Sequence, residues 1–210
     1  DWRGKEDLKL LLGASDEAVR LLRPARSPSQ LKCIAEALTR RANGCFKAAC
    51  VENDWAQWLD LADAATGEVR TLLQHCPPSS VLGRALLVAG VSMSVRAHRL
   101  RQNSNPYRRI VARAAQLFLE AERILQLSVG PINENSLYTH GNLGELLLVD
   151  VGDLCTGLSH FFRACSVGVA FFGSQHPNVK EKLNEFAQVL REIDNQLTNK
   201  FADLVEQGNL

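Results

Sequence analysis

Not one aspartate or glutamate lies between Glu68 and Glu120 in this chain of 210 residues. That window holds eight arginines instead: Arg70, Arg84, Arg96, Arg99, Arg101, Arg108, Arg109 and Arg113. It therefore carries +8, although the whole chain is only +1. Segregation of this kind bears on fields and partners rather than on fold. Other absences narrow the class. No uninterrupted apolar run approaches the ~18 residues of a membrane-crossing helix, so no membrane partner is expected. The six cysteines (Cys33, Cys45, Cys50, Cys76, Cys155, Cys165) form no CxxC pair and no zinc-finger cluster with histidine. They are expected to be reduced, small core residues of a cytoplasmic or nuclear protein. The opening DWRGKEDLK has neither an initiating Met nor a signal-peptide pattern, and is expected to begin a segment of a larger protein.

Strand alternation is missing as well, and what remains is helical throughout. The pattern predicts helices over 5–22, 29–51, 54–75, 79–102, 106–127, 136–150, 154–172 and 178–207. Their stops and starts are ordinary turn chemistry. Pro24 and Ser27-Pro28-Ser29 separate the first two, Asn53-Asp54 caps the third, and Pro77-Pro78 followed by serine opens the fourth. Asn103-Ser104-Asn105-Pro106, Gly130-Pro131, Gly152-Asp153 and Gly173-Ser174-Gln175-His176-Pro177 mark the remaining breaks. In the last helix Val179, Leu183, Phe186, Leu190, Ile193 and Leu197 form a narrow apolar seam. That seam suits either a terminal cap or a homodimer contact through 178–207.

One interval organises these helices. Ala114, Phe118 and Ala121 recur 43 residues later as Gly157, Phe161 and Ala164, Gly130 recurs as Gly173, and Asn142-Leu143-Gly144 as Glu185-Phe186-Ala187. A period near 40 residues marks stacked helix pairs, none of which buries its apolar face alone. The unit over 136–177, with Leu143-Gly144, Leu147, Gly152-Asp153, Gly157, Phe161 and Ala164, resembles the tetratricopeptide repeat (TPR) signature. Its first helix is one residue longer than that pattern. The loop Phe172-Gly173-Ser174-Gln175-His176-Pro177-Asn178-Val179 is similar to those of kinesin-light-chain-type repeats and of the C-terminal helical domain of SET-and-MYND methyltransferases.

The resemblance implies one all-α, TPR-like α-solenoid domain over 1–210. It comprises a leading helix (1–25), two degenerate pairs (29–76 and 79–128), a well-formed repeat (136–173) and a terminal helix (178–207). The degenerate pairs carry Asn43-Gly44 and Ala89-Gly90 near the Leu-Gly position. It further implies a concave groove lined by the first helices, with Asn142 holding a partner's backbone and Tyr138, Glu145 and Val149 on the same face.

The arginines supply the second candidate surface. Arg96, Arg99 and Arg101 end one helix, and Arg108, Arg109 and Arg113 begin its antiparallel partner, with no carboxylate nearby in sequence to neutralise them. Guanidinium groups suit bidentate binding of carboxylate or phosphate. The expected function is a non-catalytic scaffold or adaptor module that binds an acidic or phosphorylated protein segment. For the arginines the alternative is pairing with the acid-rich remainder of the chain or with another subunit. For the module the alternatives are a self-associating structural subunit and a nucleic-acid-associated module, the latter disfavoured because Tyr107 alone interleaves with the arginines. No enzyme, cofactor or metal is expected: His140 and Glu145 are five apart, His160 and His176 have no nucleophile partner, and Asp60/Asp63 and Glu181/Glu185 read as solvated carboxylates.

Overall fold

A computed structural model describes residues 5–22, 27–100 and 105–206, with side chains over 9–21, 27–100 and 106–195. Among the described residues the chain is all-helical: α1 (Lys5–Leu22), α2 (Pro28–Val51), α3 (Trp55–Leu73), α4 (Ser80–Arg99), α5 (Asn105–Val129), α6 (Glu134–Glu145), α7 (Leu154–Phe172) and α8 (Pro177–Glu206). Starts are set locally. Ser27 forms a reciprocal capping box with Gln30, and Ser79, Asn133 and Asp153 accept from the backbone N–H of Leu82, Ser136 and Thr156. Asp54 stands at the cap position of α3 but makes no side-chain cap bond, unlike the cap expected there. Gly130 and Gly173, 43 residues apart, end α5 and α7 with φ of +87° and +85°, a conformation that disfavours any side chain.

The helices pack most closely as α2 with α3, α4 with α5, and α6 with α7, while α1 lies on α2 and α8 on α7. First helices of successive pairs also meet, α2 against α4 and α4 against α6. A core of Val19, Ile34, Leu38, Ala62, Val69 and Ala85 joins α1 to α4, and a second of Leu86, Phe118, Leu143 and Leu146 joins α4 to α6. Leu82 packs against both, so the apolar interior runs on from pair to pair.

Two of the pairs use the same contact. A Cβ on Gly90 would lie 2.6 Å from Phe118, and one on Gly144 would lie 2.7 Å from Phe161. Each phenylalanine thus sits against a glycine of the preceding helix, Gly90 in one pair and Gly144 in the other. Gly144 and Gly157 also face each other: a Cβ on either would come within 3.1 Å of the other's carbonyl oxygen. Phe186 of α8 stacks on Phe161 from the other side, at 5.6 Å between centroids.

After Glu145 the helix continues as a π-helical segment, Leu146–Val151. A π turn holds more residues than an α turn, so the direction of side chains shifts from Leu146 onward. Two further findings refine the sequence reading. Cys45 and Cys165 are buried, but Cys33, Cys50 and Cys155 are exposed, so only part of the cysteine set serves the core. Averaged over 18 residues, α4 and α7 reach mean hydropathies of 1.3 and 1.2, enough by length and composition to cross a membrane; half and a third of those windows are buried in the fold.

Candidate functional site

First helices and the terminal helix together enclose a groove of about 650 Å³. From α2 it is lined by Glu36, Arg40, Asn43, Phe46 and Lys47, from α4 by Arg84, Leu87, Val88 and Val91, from α6 by Glu134, Asn135, Tyr138 and Asn142, and from α8 by Lys182. Four cations therefore face two carboxylates. Glu36 is shared between Arg40, at 3.3 Å, and Arg84, and Lys182 holds Glu185 at 2.5 Å. The α2 contributors at 36, 40, 43 and 47 follow the 4-3-4 spacing that keeps residues on one helix face.

The residues implied by the resemblance reach this groove unevenly. Asn142 is half-buried where the groove meets a second pocket of about 100 Å³ that extends to His98 and Asp150. It donates one amide hydrogen to the Tyr138 carbonyl at 2.7 Å, leaving its own carbonyl oxygen and second hydrogen. The Tyr138 hydroxyl accepts from Asn178 at 2.7 Å, and burial, then Glu134 and Glu181, push its pKa up. Glu145 is exposed at the second pocket. Val149 is 54% exposed and lines neither. The reason is the π segment: α-helical spacing from Asn142 no longer predicts direction beyond Glu145.

In the arginine cluster, pairing within the chain holds for Arg70, Arg84 and Arg96. Carboxylates absent from its sequence neighbourhood are supplied by other helices. Arg96 bridges Asp60 and Asp63 of α3 at 2.9 and 3.0 Å, Arg70 meets Glu120 at 3.5 Å, and Arg84 meets Glu36. Asp63 is thus paired and mostly covered rather than solvated; burial raises its pKa and Arg96 opposes that rise. Arg99 lies over the Trp55 ring at 5.8 Å and stays exposed. Arg113 donates to Gln116 at 3.4 Å. Arg108 and Arg109 are exposed without an ion pair among the described residues, and Arg101 lies outside them. Tyr107 is buried and donates to Asp150 at 2.6 Å; burial and then that carboxylate push its pKa up to about 12. A ring so placed is not open for base stacking.

A second constellation was invisible in the sequence. Glu122 of α5, His140 of α6 and His160 of α7 meet between the last two pairs, with one donor atom from each residue within 4.8 Å of the others. His140 Nδ1 lies 3.1 Å from His160 Nδ1, and His140 Nε2 lies 3.4 Å from Glu122 Oε1. Gln126 donates to that oxygen at 2.8 Å, and Arg163 stands 3.6 Å from it. Burial, with Arg163 and His160 adding to it, brings the His140 pKa down to about 4. Burial lowers that of His160 as well, against the opposing effect of Glu122. The three residues come from three helices and share no local spacing, so no motif could have signalled them. His176, by contrast, serves its own loop: it accepts from the Asn178 backbone N–H at 3.3 Å and stacks on Phe172 at 4.3 Å.

No protein-family model and no curated protein matches this chain.

Proposed function

We propose that this chain is a TPR-like helical-repeat module that captures an extended, acidic segment of a protein partner and performs no catalysis itself. The observation that carries the reading is the groove. One concave surface draws on the first helix of each pair, carries more cations than carboxylates, and presents the amides of Asn43, Asn135 and Asn142. Amides suit a peptide backbone, which offers a donor and an acceptor at each residue, and guanidinium and ammonium groups suit the partner's carboxylates. The second pocket leads from Asn142 toward the end of α4, where Arg99, Arg108 and Arg109 extend the positive field. Arg96 is omitted from the binding set because its charge is already met within the fold.

The test uses fluorescent peptides of glutamate, of lysine and of neutral glycine-serine, with anisotropy as the readout. The acidic peptide is expected to bind best, and its affinity to fall steeply from low to moderate salt. Arg40→Glu with Lys47→Glu, both exposed, is expected to weaken it by about 10-fold or more, and Arg108→Glu with Arg109→Glu by a smaller factor. Equal binding of acidic and neutral peptides, or indifference to both double variants, would remove charge from the mechanism.

A second reading rests on α8. Val179 is buried, yet Leu183 and Leu190 of the same seam are 37% and 42% exposed. A second copy of the chain would cover them. If so, light scattering is expected to give a dimer that Leu183→Glu with Leu190→Glu converts to monomer; a monomer at all concentrations before substitution retires this reading.

A further inference from the structure

We propose that Glu122, His140 and His160 form a binding site for a divalent transition-metal ion, zinc first, which staples α5 to α6 and α7. Two imidazoles and a carboxylate are a recurrent zinc donor set that leaves a fourth position for water. The dimensions suit it. Metal–donor bonds of about 2.0–2.1 Å place tetrahedral donors about 3.3 Å apart. Here the two imidazole nitrogens are 3.1 Å apart, and choosing one nitrogen per ring and one carboxylate oxygen keeps all three donors within 4.8 Å. Closing the longest edge to tetrahedral spacing needs at most about 1.5 Å of movement.

The cluster also lacks what a metal would supply. Two imidazole nitrogens at hydrogen-bond distance share a single proton, while among the described residues the largely covered Glu122 carboxylate has Arg163 alone as a full cation, at 3.6 Å. The Arg163 side chain is 53% exposed and can leave toward solvent. A divalent ion would engage both nitrogens and neutralise the carboxylate at once. Each ligand comes from a different helix, so the ion would tie the α4–α5 pair to the α6–α7 pair. It would brace the scaffold independently of any partner bound in the groove.

The experiment is titration of the reduced full chain with zinc chloride, followed by calorimetry and thermal melting, and with cobalt(II) chloride, followed by visible absorption. One zinc per chain is expected, with a rise in melting temperature of roughly 5 °C or more at 100-fold excess over Kd. Magnesium should have no effect. His160→Ala and Glu122→Gln are each expected to weaken zinc by about 100-fold or more, beyond what outer-shell changes cost. Arg163→Ala should tighten it several-fold by removing a competing cation, an effect that lost packing cannot produce. Replacing the exposed Cys33, Cys50 and Cys155 by serine should leave binding unchanged. Absence of stoichiometric zinc, or zinc retained in His160→Ala and Glu122→Gln but lost with the cysteines, would overturn the proposal.

Discussion

Gly157→Leu is expected to lower the melting temperature by roughly 6–12 °C, corresponding to about 3 kcal/mol of overpacking in a chain of this size. The physical cause is the crossing of α6 and α7. A Cβ at position 157 would fall 2.5 Å from Leu148 Cγ and 3.1 Å from the Gly144 carbonyl oxygen. The first of these atoms is the branch point of a side chain and the second is backbone, so neither yields without moving a helix. Phe161 would be displaced from its place between Gly144 and Phe186. Gly67→Leu is the control: it is exposed on α3, and no atom beyond its own stretch of helix backbone lies within 4 Å of its Cβ position. Calorimetry of the two variants checks the pair, and equal melting points would show that the 144/157 crossing does not limit stability.

Arg96→Glu is expected to cost about 2–3 kcal/mol, whereas Arg108→Glu should stay within roughly 0.5 kcal/mol. Arg96 keeps only 21% of its side chain exposed and serves two carboxylates, one of them, Asp63, largely covered. Reversal would gather three carboxylates at one point and leave Asp63 without its cation. Asp63 already titrates high because of burial, and losing Arg96 would raise it further. Carboxylates whose folded pKa lies above the unfolded value bind extra protons in the native state. The penalty should therefore shrink as pH falls and be greatest at neutral pH. Urea unfolding at neutral and mildly acid pH reads both the midpoint and this trend. A neutral-pH midpoint equal to that of Arg108→Glu would mean the bridge is worth no more than a surface pair.

These outcomes separate residues that looked equivalent along the chain. Arg96, Arg99, Arg108 and Arg109 form one basic run when read in order. In space the first is spent on α3, the second rests on an indole, and the last two face solvent. The asparagine-led face on α6 was similarly half legible. Tyr138 and Asn142 line the groove, but the π segment turns Val149 away from it. An extra residue could be counted from the sequence; the direction of side chains from Leu146 onward could not be read there.

The sequence by itself determined the helices, their order and nearly all their ends. Apolar periodicity, a serine or asparagine cap and a glycine with positive φ each act within a few residues of themselves. It also carried the Phe118/Phe161 echo, because a large ring opposite a glycine is demanded in each of the two pairs. Only the tertiary structure decided which charges remain available and which groups meet across helices. Coulombic pairing and ligand geometry depend on distance in space, and the folded chain brings Asp63 to Arg96, and Glu122 and His160 to His140, from separate helices.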